Sequence, residues 1–167
     1  MSKIESSEIN STRRTIEKGA AWSVPVIAAA MAAPAASAST IDFGAFHING
    51  TCGTLGVIGP GFTLSAGPTA ALPIGTTVTI SGSGVANIGV FSFSRGTATV
   101  TVLSGTARQI VLTSALPAGA TIAFRTTLSI TVAFTLTAST ALQIGYVGTG
   151  AKAPGTVSST LILCSAT

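Results

Sequence analysis

Few residues of this chain carry side chains that could do chemistry. Beyond residue 38, the acids, bases and cations are Asp42, His47, Arg95, Arg108, Arg125 and Lys152. A serine hydrolase needs a carboxylate that orients a histidine, which in turn activates a serine. Asp42 and His47 could supply the first two groups, but no Gly-x-Ser-x-Gly elbow supplies the third, and paired-acid hydrolysis lacks its second carboxylate. We therefore predict no catalytic residues, with a secreted hydrolase or inhibitor as one alternative.

The residue types also argue against metals, cofactors and nucleic acids. A metal site needs several His, Cys or carboxylate ligands, and this region offers a single histidine and a single aspartate. The isoelectric point of about 9.7 reflects the scarcity of acids, because a few scattered Arg and Lys residues cannot neutralise a run of phosphates. We expect no metal, no cofactor and no nucleic-acid partner.

Two features could contact a neutral ligand. Tyr146 is the only tyrosine of the chain, and an exposed aromatic ring can stack on a sugar; placement in the core or at its rim is the other interpretation. Ser and Thr make up 37 of the 129 residues after Ala38, so surface polarity comes from hydroxyls. Rows of Thr could form a flat hydroxyl array or simply a solvated strand face.

Cys52 and Cys164 are the only cysteines. They stand 112 positions apart, near the two ends of the region after residue 38. A disulfide between them would stabilise the fold by roughly 4–5 kcal/mol in the chain-entropy model. We predict that bridge, with two free thiols as the alternative.

The elements that must position these residues are strands. Apolar and hydroxyl residues alternate strictly from Leu128 to Thr137, which would place Leu128, Ile130, Val132, Phe134 and Leu136 on one face of a ten-residue strand. The same period recurs over Thr76–Ser81, Gly89–Ser94, Thr97–Val102 and Thr121–Arg125. It predicts that Ala98, Val100 and Val102 face inward in the third run, and Ile122 and Phe124 in the fourth. Gly- and Pro-rich turns separate these runs.

Short alternating strands between tight turns are typical of an antiparallel sandwich of two sheets. We predict an all-β, immunoglobulin-like β-sandwich of eight or nine strands over residues 39–167, a single domain. A closed barrel is the alternative architecture.

The residues before this domain have the layout of an export signal. Arg13, Arg14 and Lys18 precede an uncharged Ala-rich run from Gly19 to Ala33, and Ala36-Ser37-Ala38 forms a small-x-small cleavage site. The run is about 15 residues, shorter than the roughly 20 that span a bilayer. We predict a signal peptide over residues 1–38, cleaved after Ala38, without a permanent membrane span. The twin arginine favours the twin-arginine (Tat) route, and the general secretory route is the alternative.

Arg13-Arg14 and the run from Lys18 to Ile27 resemble the signal of small exported β-domain proteins of actinobacteria. The segments Gly145–Lys152 and Ser158–Cys164 are similar to members of the same group. The resemblance implies an exported protein of the cell surface, cell envelope or medium, with the export machinery as a partner. With the low charge, it leads us to expect a structural or adhesive protein that contacts envelope glycan or associates with itself. A small carbohydrate- or peptidoglycan-binding module, using Tyr146, is the other alternative.

Overall fold

The computed structural model describes residues 39–167, except for 55–56, 85–86, 90–91, 95–96 and 162. The predicted export signal, with Arg13, Arg14, Lys18, Ala36 and Ala38, lies outside the described residues. The described residues belong to one compact unit, Ser39–Thr167. Within them, no helix is long and apolar enough to cross a membrane.

The described part of the chain is all-β, as predicted, and contains no helix. Its strands are β1 (Ile41–Asp42), β2 (His47–Thr51), β3 (Gly61–Ser65), β4 (Thr77–Ser83), β5 (Ser92–Ser94), β6 (Ala98–Ser104), β7 (Ala107–Leu112), β8 (Thr121–Arg125), β9 (Phe134–Ala141), β10 (Tyr146–Val147), β11 (Pro154–Thr160) and β12 (Leu163–Ala166). The sequence predicts eight or nine strands. The described residues contain twelve. The additional strands include β1, β10 and β12, which are short and have no alternating pattern of their own; they are strands because they pair with neighbouring segments.

The strands form three sheets. A six-stranded sheet has the order β12-β11-β9-β4-β7-β6, and a four-stranded sheet has the order β2-β3-β8-β5. Every ladder in these two sheets is antiparallel. The third sheet is the parallel pair of β1 and β10.

The two large sheets share one hydrophobic core. From the four-stranded sheet come Ile48, Phe62, Leu64, Ile122 and Phe124; from the six-stranded sheet come Val78, Ile80, Ile110, Leu136 and Val157. These ten side chains are at most 1 % exposed. The period-two pattern predicted β8 correctly at Thr121–Arg125 with Ile122 and Phe124 buried, because alternate side chains of a strand point to opposite faces.

The two sheets meet along one edge, where β2 runs beside β11 and the C-terminus. The Ile48 N–H donates to the Lys152 carbonyl at 2.9 Å, and the Gly50 N–H donates to the Thr167 carbonyl at 2.8 Å. A Cβ atom at Gly50 would collide with the Thr156 carbonyl oxygen, so this approach requires glycine. The Cys52–Cys164 disulfide predicted from the sequence closes the same edge, with its Cα atoms 5.9 Å apart.

The strand predicted over residues 128–137 is wrong in its first half. The strand β9 begins at Phe134, and Val132 is 47 % exposed. The Thr131 N–H donates to the Ser129 Oγ at 3.2 Å, and the Val132 N–H donates to the Ser129 carbonyl at 3.1 Å. A serine side chain that bonds the backbone two residues on stabilises a turn in place of a strand.

Candidate functional site

Two surfaces of the described residues gather the polar groups, and the first is one end of the domain. Segment 41–49 runs beside segment 145–152: the Phe43 N–H donates to the Val147 carbonyl at 2.9 Å, and the Lys152 N–H donates to the Phe46 carbonyl at 2.9 Å. We call this region the polar end and define it by Asp42, Phe43, His47, Asn49, Tyr146 and Lys152. Its two segments carry Asp42, His47 and Tyr146, three residues that the sequence analysis singled out.

Asp42 accepts hydrogen bonds from backbone groups of the polar end. Its Oδ1 accepts the Gly44 N–H at 2.8 Å and the Thr149 N–H at 3.0 Å. Hydrogen bonds from Thr149, and then from Gly44, favour the ionised carboxylate and hold the pKa of Asp42 below its usual value. The carboxylate therefore ties the 148–150 turn to β1.

His47 lies in β2 opposite Ser65 of β3. Among the described residues no side-chain hydrogen bond joins His47 to Ser65 or to Asp42; the pairing of His47 with Ser65 is a backbone ladder contact. The nucleophile–base–carboxylate chain of a serine hydrolase is therefore not assembled from these groups, and the geometry adds no support to the hydrolase alternative.

Tyr146 is half-buried, and its ring packs against another aromatic ring of the protein. Its ring centroid lies 5.0 Å from that of Phe43, with the planes tilted by 58°. In the same two segments, the Lys152 Nζ donates to the Asn49 Oδ1 at 2.9 Å. The contacts of Tyr146 with Phe43 and of Lys152 with Asn49 are not predictable from the sequence, because they join segments far apart in the chain.

The second surface is the side of the six-stranded sheet that faces away from the core. In β9, the buried Phe134, Leu136 and Ala138 alternate with the exposed Thr135, Thr137 and Ser139. The neighbouring strands have the same alternation. We call this side the hydroxyl face; its members are Thr77, Thr79, Ser81, Ser83, Thr99, Thr101, Thr135, Thr137, Ser139, Thr156, Ser158 and Ser165.

The pairing register aligns these hydroxyls in rows across the strands. One row runs Ser83, Thr135, Ser158, Ser165 over four adjacent strands. A second runs Ser81, Thr137, Thr156. Neighbouring strands lie about 4.7–4.9 Å apart, and alternate residues along a strand are roughly 6.5 Å apart. The rows therefore form a regular, uncharged grid of hydrogen-bonding groups.

The two described arginines, Arg108 and Arg125, are not members of the grid. Arg108 is 6 % exposed, and its guanidinium donates to the carbonyls of Ser104 and Ala107 and, at 2.8 Å, to the Asn87 Oδ1. A buried cation is costly unless it is hydrogen-bonded, and these acceptors meet that need at the β6–β7 turn. Burial lowers the pKa of Arg125, whose Nη1 has no hydrogen-bond partner among the described residues.

The described residues offer no metal centre, and the cavity found among them is small. They contain no group of three His, Cys, Asp or Glu side chains that could hold a metal ion. One apolar cavity of about 130 Å³, lined in part by Leu112, Leu116 and Ile122, is small beside the roughly 300–1,000 Å³ of typical ligand sites.

No protein-family model matches the chain, and no curated protein is significantly similar to it.

Proposed function

We propose that this protein is exported and acts on the cell surface or in the cell envelope as a structural or adhesive protein, without enzymatic activity. The observation that supports this is the hydroxyl face. Among the described residues it is a broad grid of hydroxyls without a charged side chain, so it suits a neutral, hydroxyl-rich partner such as envelope glycan. The location rests on the export signal predicted over residues 1–38, and a disulfide is compatible with an extracellular protein.

We also propose the finer fold assignment, an immunoglobulin-like sandwich. Two antiparallel sheets sharing one core support it. The strands β2 and β11 contact each other along one edge of the two sheets. A closed barrel, the alternative architecture, would have such a contact as well.

The test is sedimentation of the protein with isolated envelope of the producing cells. The double variant T135V/T137V removes two exposed hydroxyls and keeps the size and β-propensity of the side chains. Each lost hydrogen bond contributes about 0.5–1.5 kcal/mol, so we expect binding to weaken about tenfold.

The matched control is T135S/T137S, which keeps both hydroxyls and should bind like the wild type. Equal binding by the Val and Ser variants would refute the hydroxyl face as the contact. Wild-type protein that stays in the supernatant would refute the envelope contact itself.

The polar end favours one second candidate, a carbohydrate- or peptidoglycan-binding module. The polar end carries the Phe43–Tyr146 ring pair and the Asn49–Lys152 hydrogen bond, and sugar sites use both an aromatic surface and hydrogen-bonding groups. The variant Y146A distinguishes the two candidates in the same assay. Loss of binding in Y146A, with T135V/T137V unaffected, would place the contact at the polar end.

A further inference from the structure

The strand β6 lies at one edge of the six-stranded sheet and is exposed on both faces. No described strand pairs with its free side, and Thr99 through Ser104 are all exposed. Its residues include Val100, 36 % exposed, Val102, 66 %, and Leu103, 53 %. Natural proteins usually protect such an edge with charges, proline or a very short strand. This seven-residue strand has neither a charged residue nor a proline.

The free side of β6 presents regularly spaced backbone groups. The Thr113 N–H donates to the Thr97 carbonyl at 3.0 Å. Hydrogen-bonded and non-hydrogen-bonded pairs alternate along an antiparallel ladder. Thr97, Thr99 and Thr101 therefore direct their backbone groups to β7, and Ala98, Val100 and Val102 direct theirs outward. A register shift between Val102 and Ser104 ends this regular edge.

The sequence of the regular edge is almost symmetric about its centre. Ala98-Thr99-Val100-Thr101-Val102 reads nearly the same in both directions. Antiparallel pairing with a second copy, about a twofold axis at Val100, places Val100 opposite itself, Thr99 opposite Thr101, and Ala98 opposite Val102. Opposite residues lie on the same face of a sheet, so apolar meets apolar and hydroxyl meets hydroxyl. No like charges oppose each other.

We propose that β6 pairs with β6 of a second copy of this chain, centred at Val100, and joins the two six-stranded sheets into one. The interface is isologous, so it closes as a dimer and does not propagate into a fibre. The outward backbone groups of Ala98, Val100 and Val102 supply the new hydrogen bonds.

This inference deepens the proposed function, and its consequence for adhesion rests on that function. Because Thr99 and Thr101 pair on the outer side, the hydroxyl faces of both copies lie on the same side of the joined sheet. Two linked contacts bind a surface more strongly than one. The dimer would therefore present a doubled adhesive surface.

The first test is the mass of the protein in solution as a function of concentration, measured by sedimentation velocity. The protein is expressed from its full-length sequence and purified in the form that the cells produce. In V100K, the introduced lysine of one chain faces the introduced lysine of the other chain across the twofold axis. Their repulsion and the lost valine contact should weaken dimerisation about tenfold or more. V132K makes the same change at a site of similar exposure, 47 %, and should dimerise like the wild type.

A cross-linking test fixes the register and does not depend on V100K. Two single variants, T99C and T101C, are mixed and oxidised. The proposed register brings these positions together, so the mixture should form a disulfide-linked heterodimer much faster than either variant alone. The control mixture of T99C with S139C should not, since Ser139 lies in β9.

Wild-type protein that remains a monomer up to its solubility limit overturns the proposal. So does V100K dimerising like V132K, or a T99C and T101C mixture that cross-links no faster than its control. Envelope binding is measured on the same samples. We expect V100K to lose the dimer and to bind envelope more weakly but still measurably, because each monomer keeps its hydroxyl face; we expect T135V/T137V to keep the dimer and to lose envelope affinity. A wild type that dimerises without binding envelope would refute the proposed function alone, and a wild type that binds envelope as a monomer would refute this inference alone.

Discussion

At the scale of single residues, two of the ionisable side chains in the described part of the chain hold loops in place. Asp42 holds the 148–150 turn through the Thr149 N–H, and Arg108 holds the β6–β7 turn through backbone carbonyls. Both residues bond to backbone groups of loops. The sequence predicted that such groups were too few for catalysis, but it could not predict these partners, because they depend on how the loops fold.

Asp42 gives a prediction for acid pH. Hydrogen bonds from Thr149 and Gly44 lower its folded pKa below 3.8, so its stabilising contribution is complete above the unfolded pKa and is lost as pH falls through the folded one. We expect the unfolding temperature of the wild type to approach that of D42N below about pH 4. Thermal unfolding of both proteins from pH 7 to pH 2 tests this. Curves that stay parallel over the whole range would contradict it.

At the scale of elements, periodicity alone predicted strands where tertiary contacts agree with it. Thr121–Arg125 is a strand as predicted, since β3 and β5 pair with it on both sides. Residues 128–133 have the same alternation and still form a turn. There the Ser129 hydroxyl bonds locally, and the Ser159 Oγ donates to the Ile130 carbonyl at 2.6 Å. The alternation of apolar and hydroxyl residues cannot distinguish these cases, because Ser can face solvent on a strand or bond its own backbone in a turn.

The position of β6 is likewise beyond sequence patterns. Its alternation predicted Ala98, Val100 and Val102 as inward-facing, and they do lie on the inner side, opposite Leu112, Ile110 and Arg108. Val100 and Val102 are nevertheless exposed, because β6 is at the edge. Strand order, not strand pattern, decides this exposure.

Two valines test the revised start of β9. Val132 is 47 % exposed and Val157 is fully buried. V157A removes buried methyl groups from the core and should lower the free energy of unfolding by about 2 kcal/mol. V132A should lower it by less than about 0.5 kcal/mol. Chemical denaturation measures both; equal losses would mean that Val132 is also in the core and that the strand begins earlier.

At the scale of the whole molecule, the disulfide and the shared core hold the two sheets together. The sequence predicted the Cys52–Cys164 pair, because the chain has no other cysteines to choose from. It could not predict that the bridge closes the edge where β2 meets β11 and β12. The hydroxyl face follows from alternation in single strands, but its rows follow from the register between strands, which the sequence does not specify.

Removing the bridge should destabilise the entire domain. We expect C52A/C164A to lose about 4–5 kcal/mol of stability and to unfold roughly 10–20 °C lower. Calorimetry of the variant and of the wild type with and without reductant measures this. Reduced wild type should match the variant, and an unchanged unfolding temperature in both would show that the bridge contributes nothing.

The same bridge determines how the domain would respond to pulling force. Cys52 and Cys164 lie near the two ends of the domain, so tension applied between Ser39 and Thr167 passes through the covalent bond and bypasses the chain between them. Only the short segments outside the bridge could extend, at about 3.3–3.6 Å per residue. A protein tethered at one end and loaded at the other would behave as a nearly inextensible link, whereas its reduced form would unravel along most of its length.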